Sequence, residues 1–240
     1  MNNMIKGVVF DLDHTLFDRY GTLEAVLPEM YEQLRDKIPE NLSLSDFIER
    51  FISEEKKHIY NGWTYTAERM IEKGIFLPGT TGEDVWHCLA EHCWPIAAVK
   101  FPFTEPTLKK LKEMGYTLGI ITNGDNSYQT VKLKILGFSH FFDEIIISGD
   151  IGVQKPNREP FDEMSRRLNI PANELLYVGD NPLNDVKGSR DAGYIPVWVK
   201  TIGNWYFKDI ERCQYEVDNV GEIPALLEKI NPDKKCGLLK

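Results

Sequence analysis

No stretch of this chain stays apolar for the roughly 18 residues a membrane-spanning helix needs. The opening Met-Asn-Asn-Met-Ile-Lys-Gly leads directly into a short apolar run and has no signal-peptide core. Neither a membrane span nor export is expected. Cysteine is scarce: Cys88, Cys93, Cys213 and Cys236 are the four in 240 residues, and none forms a Cys-x-x-Cys pair. That pattern suits reduced thiols better than a disulfide framework, so the expected compartment is the cytoplasm. Basic residues are outnumbered, 28 against 37 acidic, for a net charge of -9. Such a balance argues against nucleic-acid backbones or anionic membranes as main partners. A small phosphate remains compatible, because local groups can outweigh a global charge. Internal repeats and low-complexity segments are not seen.

What is present is ordinary for a globular protein, with 42% hydrophobic and 27% charged residues. The length fits one large domain or two unequal ones, with ample core. Residues 5–10, Ile-Lys-Gly-Val-Val-Phe, read as a short buried strand. From 19 to 99 the pattern is helical throughout. Leu23, Val26, Leu27, Met30 and Leu34 form one amphipathic face, closed before Pro39. Ser43-Leu-Ser-Asp46 opens a second helix with Phe47, Ile48, Phe51 and Ile52 inward. Thr66–Lys73 is a third, ended by Gly74, and Thr81-Gly-Glu-Asp84 caps a fourth.

From residue 100 strands and helices alternate. Strands are expected at 117–122, 144–147, 175–178 and 195–199. Helices are expected from Glu105 to Met114, around Val131, Ile135 and Leu136, at 160–168, 183–192 and 222–230. Alternation of this kind means crossover connections and a parallel, doubly wound sheet. The fold class is therefore α/β, with an all-helical insert at 19–99 interrupting a core made of 1–18 and 100–240. Asp233–Lys240 reads as a loose tail.

Chemistry-bearing residues fall just past the strand ends, where open α/β sheets hold ligands. Asp11 and Asp13 follow the first strand, and Thr122-Asn123-Gly124 the second. Lys155-Pro156 comes after the third and Gly179-Asp180 through Asp185 after the fourth. Asp11 can be a nucleophile, a metal ligand or both, with Asp13 as a proton-transfer partner. The bland alternative is that these are turn-forming acids, a core-edge threonine and a surface lysine. Four carboxylates in one site, however, repel by ~4 kcal/mol per pair at about 4 Å and an effective dielectric of 20. A cluster of this kind needs a cation, and all-oxygen ligands point to Mg²⁺. Lys155, Thr122 and nearby backbone N–H groups would receive a phosphoryl group.

Asp11-Leu-Asp13-His14-Thr15-Leu16 resembles motif I of the haloacid dehalogenase (HAD) superfamily, and the later stretches match its motifs II to IV in order. The resemblance covers nearly the whole core and implies a Rossmann-like (HAD-like) fold with a C1-type helical cap of the first subclass. It implies Asp11 as a nucleophile forming an aspartyl-phosphate and Asp13 as general acid and base, its main-chain carbonyl on magnesium. Thr122 and Asn123 would bind phosphoryl oxygens, and Lys155 would stabilise nucleophile and phosphate. Asp11 and Asp180 would ligate Mg²⁺, with Asp185 doing so directly or through water. The implied activity is hydrolysis of phosphomonoesters of small metabolites, of nucleoside monophosphate or sugar phosphate type, by a monomer or homodimer. The opening motif and cap look like those of nucleoside 5′-monophosphate and N-acylneuraminate-9-phosphate phosphatases.

Competing readings are weighed by the same residues. Dehalogenases and phosphonatases of the superfamily do without the second acid, which Asp13 supplies here. A receiver-type phospho-acceptor has its acid pair before the acceptor strand, the reverse of this order. A phosphomutase would keep Asp11 and Asp13, so the motifs leave that alternative open beside a non-hydrolytic ligand-binding protein. His87-Cys88 and His92-Cys93 resemble a metal cluster only superficially, since helical residues five apart point about 140° apart. Trp63, Tyr65 and Trp94 are read as core aromatics first and substrate contacts second. Arg158 is expected at the surface, and His14 and Phe17 at the cap interface.

Overall fold

In a computed structural model of the chain, residues 4–203, 205 and 207–232 are described. Cys236 and the 233–240 tail lie outside these residues. By internal contacts the chain divides into two compact units, Met1–Asp18 with Lys100–Lys240, and Arg19–Val99.

The first unit is built on a six-stranded parallel sheet: β1 (Gly7–Phe10), β2 (Thr117–Thr122), β3 (Glu144–Ile147), β4 (Leu175–Gly179), β5 (Ile195–Val199) and β6 (Tyr215–Val217). The strand order is β3-β2-β1-β4-β5-β6. The chain thus winds outward from β1 to one side, then returns and winds outward on the other. Every residue of β1 and of β4 is buried, as expected of strands covered on both faces. The register sets Phe10 beside Ile120 and beside Val178, so Asp11 emerges level with the carboxyl ends of β2 and β4. That reversal of strand order next to β1 is where doubly wound sheets open a crevice.

β6 was not foreseen. It is a three-residue edge strand whose first two residues are only half-buried, too short to leave a periodic signature. The helix after β2 forms around Val131, Ile135 and Leu136 as expected. Over Asn126–Leu136 the buried residues are Gln129, Lys132, Leu133 and Leu136, while Ile135 is exposed. The fourth crossover begins as a π-helical turn, Pro182–Lys187, before the short helix Gly188–Asp191.

The second unit holds four α-helices, Arg19–Gln33, Leu44–His58, Trp63–Glu72 and Gly82–Cys88, around its own apolar cluster. Phe47, Phe51 and Phe76 pack edge-on or tilted at the centre of that cluster. Ser43 caps the second helix by accepting from the Asp46 amide. Thr81 and Asp84 complete a reciprocal capping box on the fourth. Among the described residues no helix is long and apolar enough to cross a membrane.

Candidate active site

β1 delivers Asp11 to the sheet's carboxyl edge, its amide donating to the Val178 carbonyl at 2.9 Å. Asp11 is 7% exposed, and its carboxylate accepts from Lys155 Nζ at 2.7 Å. Lys155 Nζ donates equally closely to Asp185 Oδ1, at 2.7 Å, and reaches the Tyr177 hydroxyl at 2.8 Å and the Ile121 carbonyl at 3.0 Å. One buried ammonium therefore bridges the ends of β1, β2 and β4.

Lys155 is itself held by the loop after β2. Asn123 Nδ2 donates to the Lys155 carbonyl at 3.0 Å, and the Lys155 amide donates to Asn123 Oδ1 at 2.9 Å. Asn123 thus spends its side chain on positioning the lysine. Thr122, buried at the end of β2, accepts from Gln129 Nε2 at 3.0 Å.

Past β4, Asp185 turns back onto its own strand. Its Oδ2 accepts from the Asn181 amide at 2.9 Å, and Asn181 Oδ1 in turn accepts from the Leu183 and Asn184 amides. Gly179 makes this return possible: a Cβ there would lie 2.4 Å from the Asp185 carboxyl carbon. Asp180 is buried too, its carbonyl accepting from Trp198 Nε1 at 2.8 Å.

Three buried acids around one lysine leave an excess of negative charge. Burial, only partly offset by Lys155 and worsened by Asp185, pushes the Asp11 carboxyl up to about 7. Burial and then Asp11 push Asp180 well above the usual carboxylate range. Burial pulls the Lys155 ammonium down, but Asp11 and Asp185 outweigh it and hold the ammonium well above its ordinary value. The lysine is charged, and its single charge cannot neutralise the cluster. Asp11, Asp180 and Asp185 each offer a carboxylate oxygen, all within 4.8 Å of one another. An all-oxygen set with unbalanced buried charge fits a hard divalent cation such as Mg²⁺.

Asp13 stands apart from that trio. Both its oxygens accept from Lys132 Nζ, at 2.8 and 3.0 Å, and Oδ2 also accepts from Gln129 Nε2 at 3.2 Å. The sequence reading missed Lys132 and Gln129. The available signal was two long polar side chains three residues apart on the helix that starts just past Thr122-Asn123-Gly124.

Cys88 and Cys93 are buried while His87 and His92 face out, and among the described residues the Asp11 trio alone groups three potential metal ligands. Within the helical unit, Trp63 and Trp94 pack on the Arg19 guanidinium, 5.0 and 5.8 Å from the ring centres. Arg19 also pairs with Glu55. Tyr65 is 41% exposed. Arg158 is a surface residue paired with Asp162.

A family model for haloacid dehalogenase-like hydrolases matches residues 8–199. The chain is 33% identical to the glyceraldehyde 3-phosphate phosphatase of Methanopyrus kandleri, over 96% of this chain and 100% of that one. It is 27% identical to human N-acylneuraminate-9-phosphatase, over 95% of each. Among solved structures, a HAD phosphatase from Thermococcus onnurineus superposes with a TM-score of 0.61 at 26% identity, over 93% of this chain and 98% of that one.

Proposed function

The chain belongs to the haloacid dehalogenase-like hydrolases, and from that footing we propose that this phosphatase of small phosphorylated metabolites works through an aspartyl-phosphate on Asp11. The observation that carries the proposal is the setting of Asp11, a buried carboxylate fixed by Lys155 at 2.7 Å and level with Asp180 and Asp185 at the β1 crevice.

Asp11 attacks phosphorus in line, forming a carboxylate–phosphorus bond as the bond to the ester oxygen breaks. Asp13 gives its proton to the departing oxygen. Asp13 then takes a proton from the water that attacks phosphorus and releases phosphate, restoring the Asp11 carboxylate. Lys155 balances charge on Asp11 and on the equatorial oxygens, and Thr122 with the main-chain amides after β2 receives those oxygens. Asn123 acts by holding Lys155. A bound Mg²⁺, held by Asp11, Asp180, Asp185 and the Asp13 carbonyl, would supply the positive charge the buried acids lack.

The unit Arg19–Val99 is proposed as a C1 cap inserted between β1 and β2, and the cytoplasm as the compartment. The names of the relatives favour phosphorylated sugars and short carbohydrates over nucleotides as substrates.

Phosphate release from p-nitrophenyl phosphate, with Mg²⁺ and with EDTA, tests the reaction class. Release that requires both Mg²⁺ and Asp11, lost in Asp11→Asn, is the expected result, and equal release in EDTA contradicts it. A panel of triose, sugar-acid and nucleoside phosphates then ranks substrates by kcat/KM.

A further inference from the structure

Lys132 has no part in the chemistry above, yet it is one of the most deeply placed cations in the core unit. Its side chain is 8% exposed, and its ammonium spans both oxygens of Asp13 at 2.8 and 3.0 Å. The Phe17 ring lies against the same ammonium, 4.7 Å from its centre. Gln129, one helical turn earlier, adds a third hydrogen bond to Asp13 at 3.2 Å. The Gln129 amide nitrogen also faces the Thr122 hydroxyl at 3.0 Å and the Asn123 carbonyl at 2.8 Å. An amide oxygen in that place would meet the Asp13 carboxylate and a carbonyl, so the orientation is fixed by its surroundings.

Burying a lysine this deeply is costly unless its charge is paired. Here its partner is an exposed-edge carboxylate, 22% accessible, on the loop leaving β1.

We propose that Lys132, with Gln129 behind it, is the positioning residue for Asp13, fixing the plane of the carboxylate that exchanges protons with the leaving oxygen and with water. The inference rests on the reading of Asp13 as the proton-transfer group. Lys132 neither touches the phosphoryl group nor transfers a proton in this scheme.

The test separates leaving groups. An alkyl phosphate has a poor leaving oxygen and needs a well-placed acid, whereas p-nitrophenolate departs with little help. Lys132→Met is expected to lower kcat/KM, which reports the steps up to leaving-group departure, about 10- to 100-fold on an alkyl phosphate, the range a small misplacement of a catalytic group produces. It is expected to lower kcat/KM on p-nitrophenyl phosphate far less, while kcat, which includes hydrolysis of the shared phosphoenzyme, falls on both substrates. Lys132→Arg, whose planar fork can also span both carboxylate oxygens, is expected to recover most of the loss. In an Asp13→Asn background, Lys132→Met is expected to have no further effect on the alkyl substrate.

An equal loss of kcat/KM on both substrates, or a full additional loss in the Asp13→Asn background, would overturn the inference and assign Lys132 to phosphate binding or to folding. Thermal unfolding of each variant identifies the folding case. If Asp13→Asn itself shows no preference for the better leaving group, the underlying reading of Asp13 has failed instead. If Asp13→Asn shows that preference and Lys132→Met does not, only the positioning role is lost.

Discussion

The side chain of Asn123 and the main chain of Lys155 are joined by reciprocal hydrogen bonds of 3.0 and 2.9 Å, across 32 residues of sequence. The loop after β2 and the loop after β3 therefore place the site's central ammonium as one unit. Asn123→Asp keeps an acceptor for the Lys155 amide but sets a second oxygen against its carbonyl. Asn123→Asp is expected to destabilise the core unit by about 1–3 kcal/mol, the cost of an unmet buried partner. It should also slow phosphate release, because Lys155 loses its fixed place beside Asp11. Thermal unfolding and steady-state rates measured together check this. A variant with wild-type stability and rate would show that the pair does not hold the lysine.

Gly179 carries a second prediction. A methyl group there would sit 2.4 Å from the Asp185 carboxyl carbon, so Gly179→Ala must push Asp185 off its bonds to Lys155 and the Asn181 amide. Overpacking of this kind costs about 1–3 kcal/mol. Displacing a group of the proposed cation site should also weaken Mg²⁺ binding by about 10- to 100-fold. Calorimetric titration of Mg²⁺ into the wild type and the variant reads this directly. Unchanged affinity would remove Asp185 from the cation site.

In the helical unit, the ion pair with Lys37, together with the amide and hydroxyl of Thr81, holds the Asp84 carboxyl down at about 2, below the ordinary 3.8. A carboxyl depressed by folding contributes stability that is complete above its unfolded value and is lost as pH falls through the folded one. Asp84→Asn should therefore lower the melting temperature near neutrality. The effect is small, about 0.5–1 kcal/mol, because the group is partly solvated. The gap to wild type should narrow as pH falls from 3.8 toward about 2. Circular dichroism melts across that range test the sign, and a gap that widens on acidification would contradict it.

Much of this was legible in the sequence because the two periodicities are clean. Gly7–Phe10, Thr117–Thr122, Glu144–Ile147 and Ile195–Val199 are apolar runs bounded by turn residues. The capping residues Ser43 and Thr81 marked helix starts. β6 escaped because Tyr215–Val217 is short and lies on the sheet's edge. Sequence spacing placed Asp11, Thr122, Lys155, Asp180 and Asp185 at successive strand ends, and the geometry brings four of these into direct contact or close grouping. Thr122 reaches Asp13 through Gln129. What spacing does not carry is rotation about a helix axis. Val131, Ile135 and Leu136 located the helix but did not show that Gln129 and Lys132 turn inward on it. A long polar side chain buries its stem while its tip finds a partner, and a hydrophobic pattern is blind to that partner.

The central claim is covalent chemistry at Asp11. Asp13→Asn should let p-nitrophenolate leave but slow hydrolysis of the phosphoenzyme, so the intermediate accumulates. Acid quenching of Asp13→Asn after mixing with p-nitrophenyl phosphate and Mg²⁺, followed by mass spectrometry of the intact chain and its peptides, is the most direct measurement. The account predicts a gain of one phosphoryl group on the peptide containing Asp11, and no gain when Asp11→Asn is added to the same chain. Turnover with no phosphorylated species, or a phosphoryl group on another residue, would contradict it.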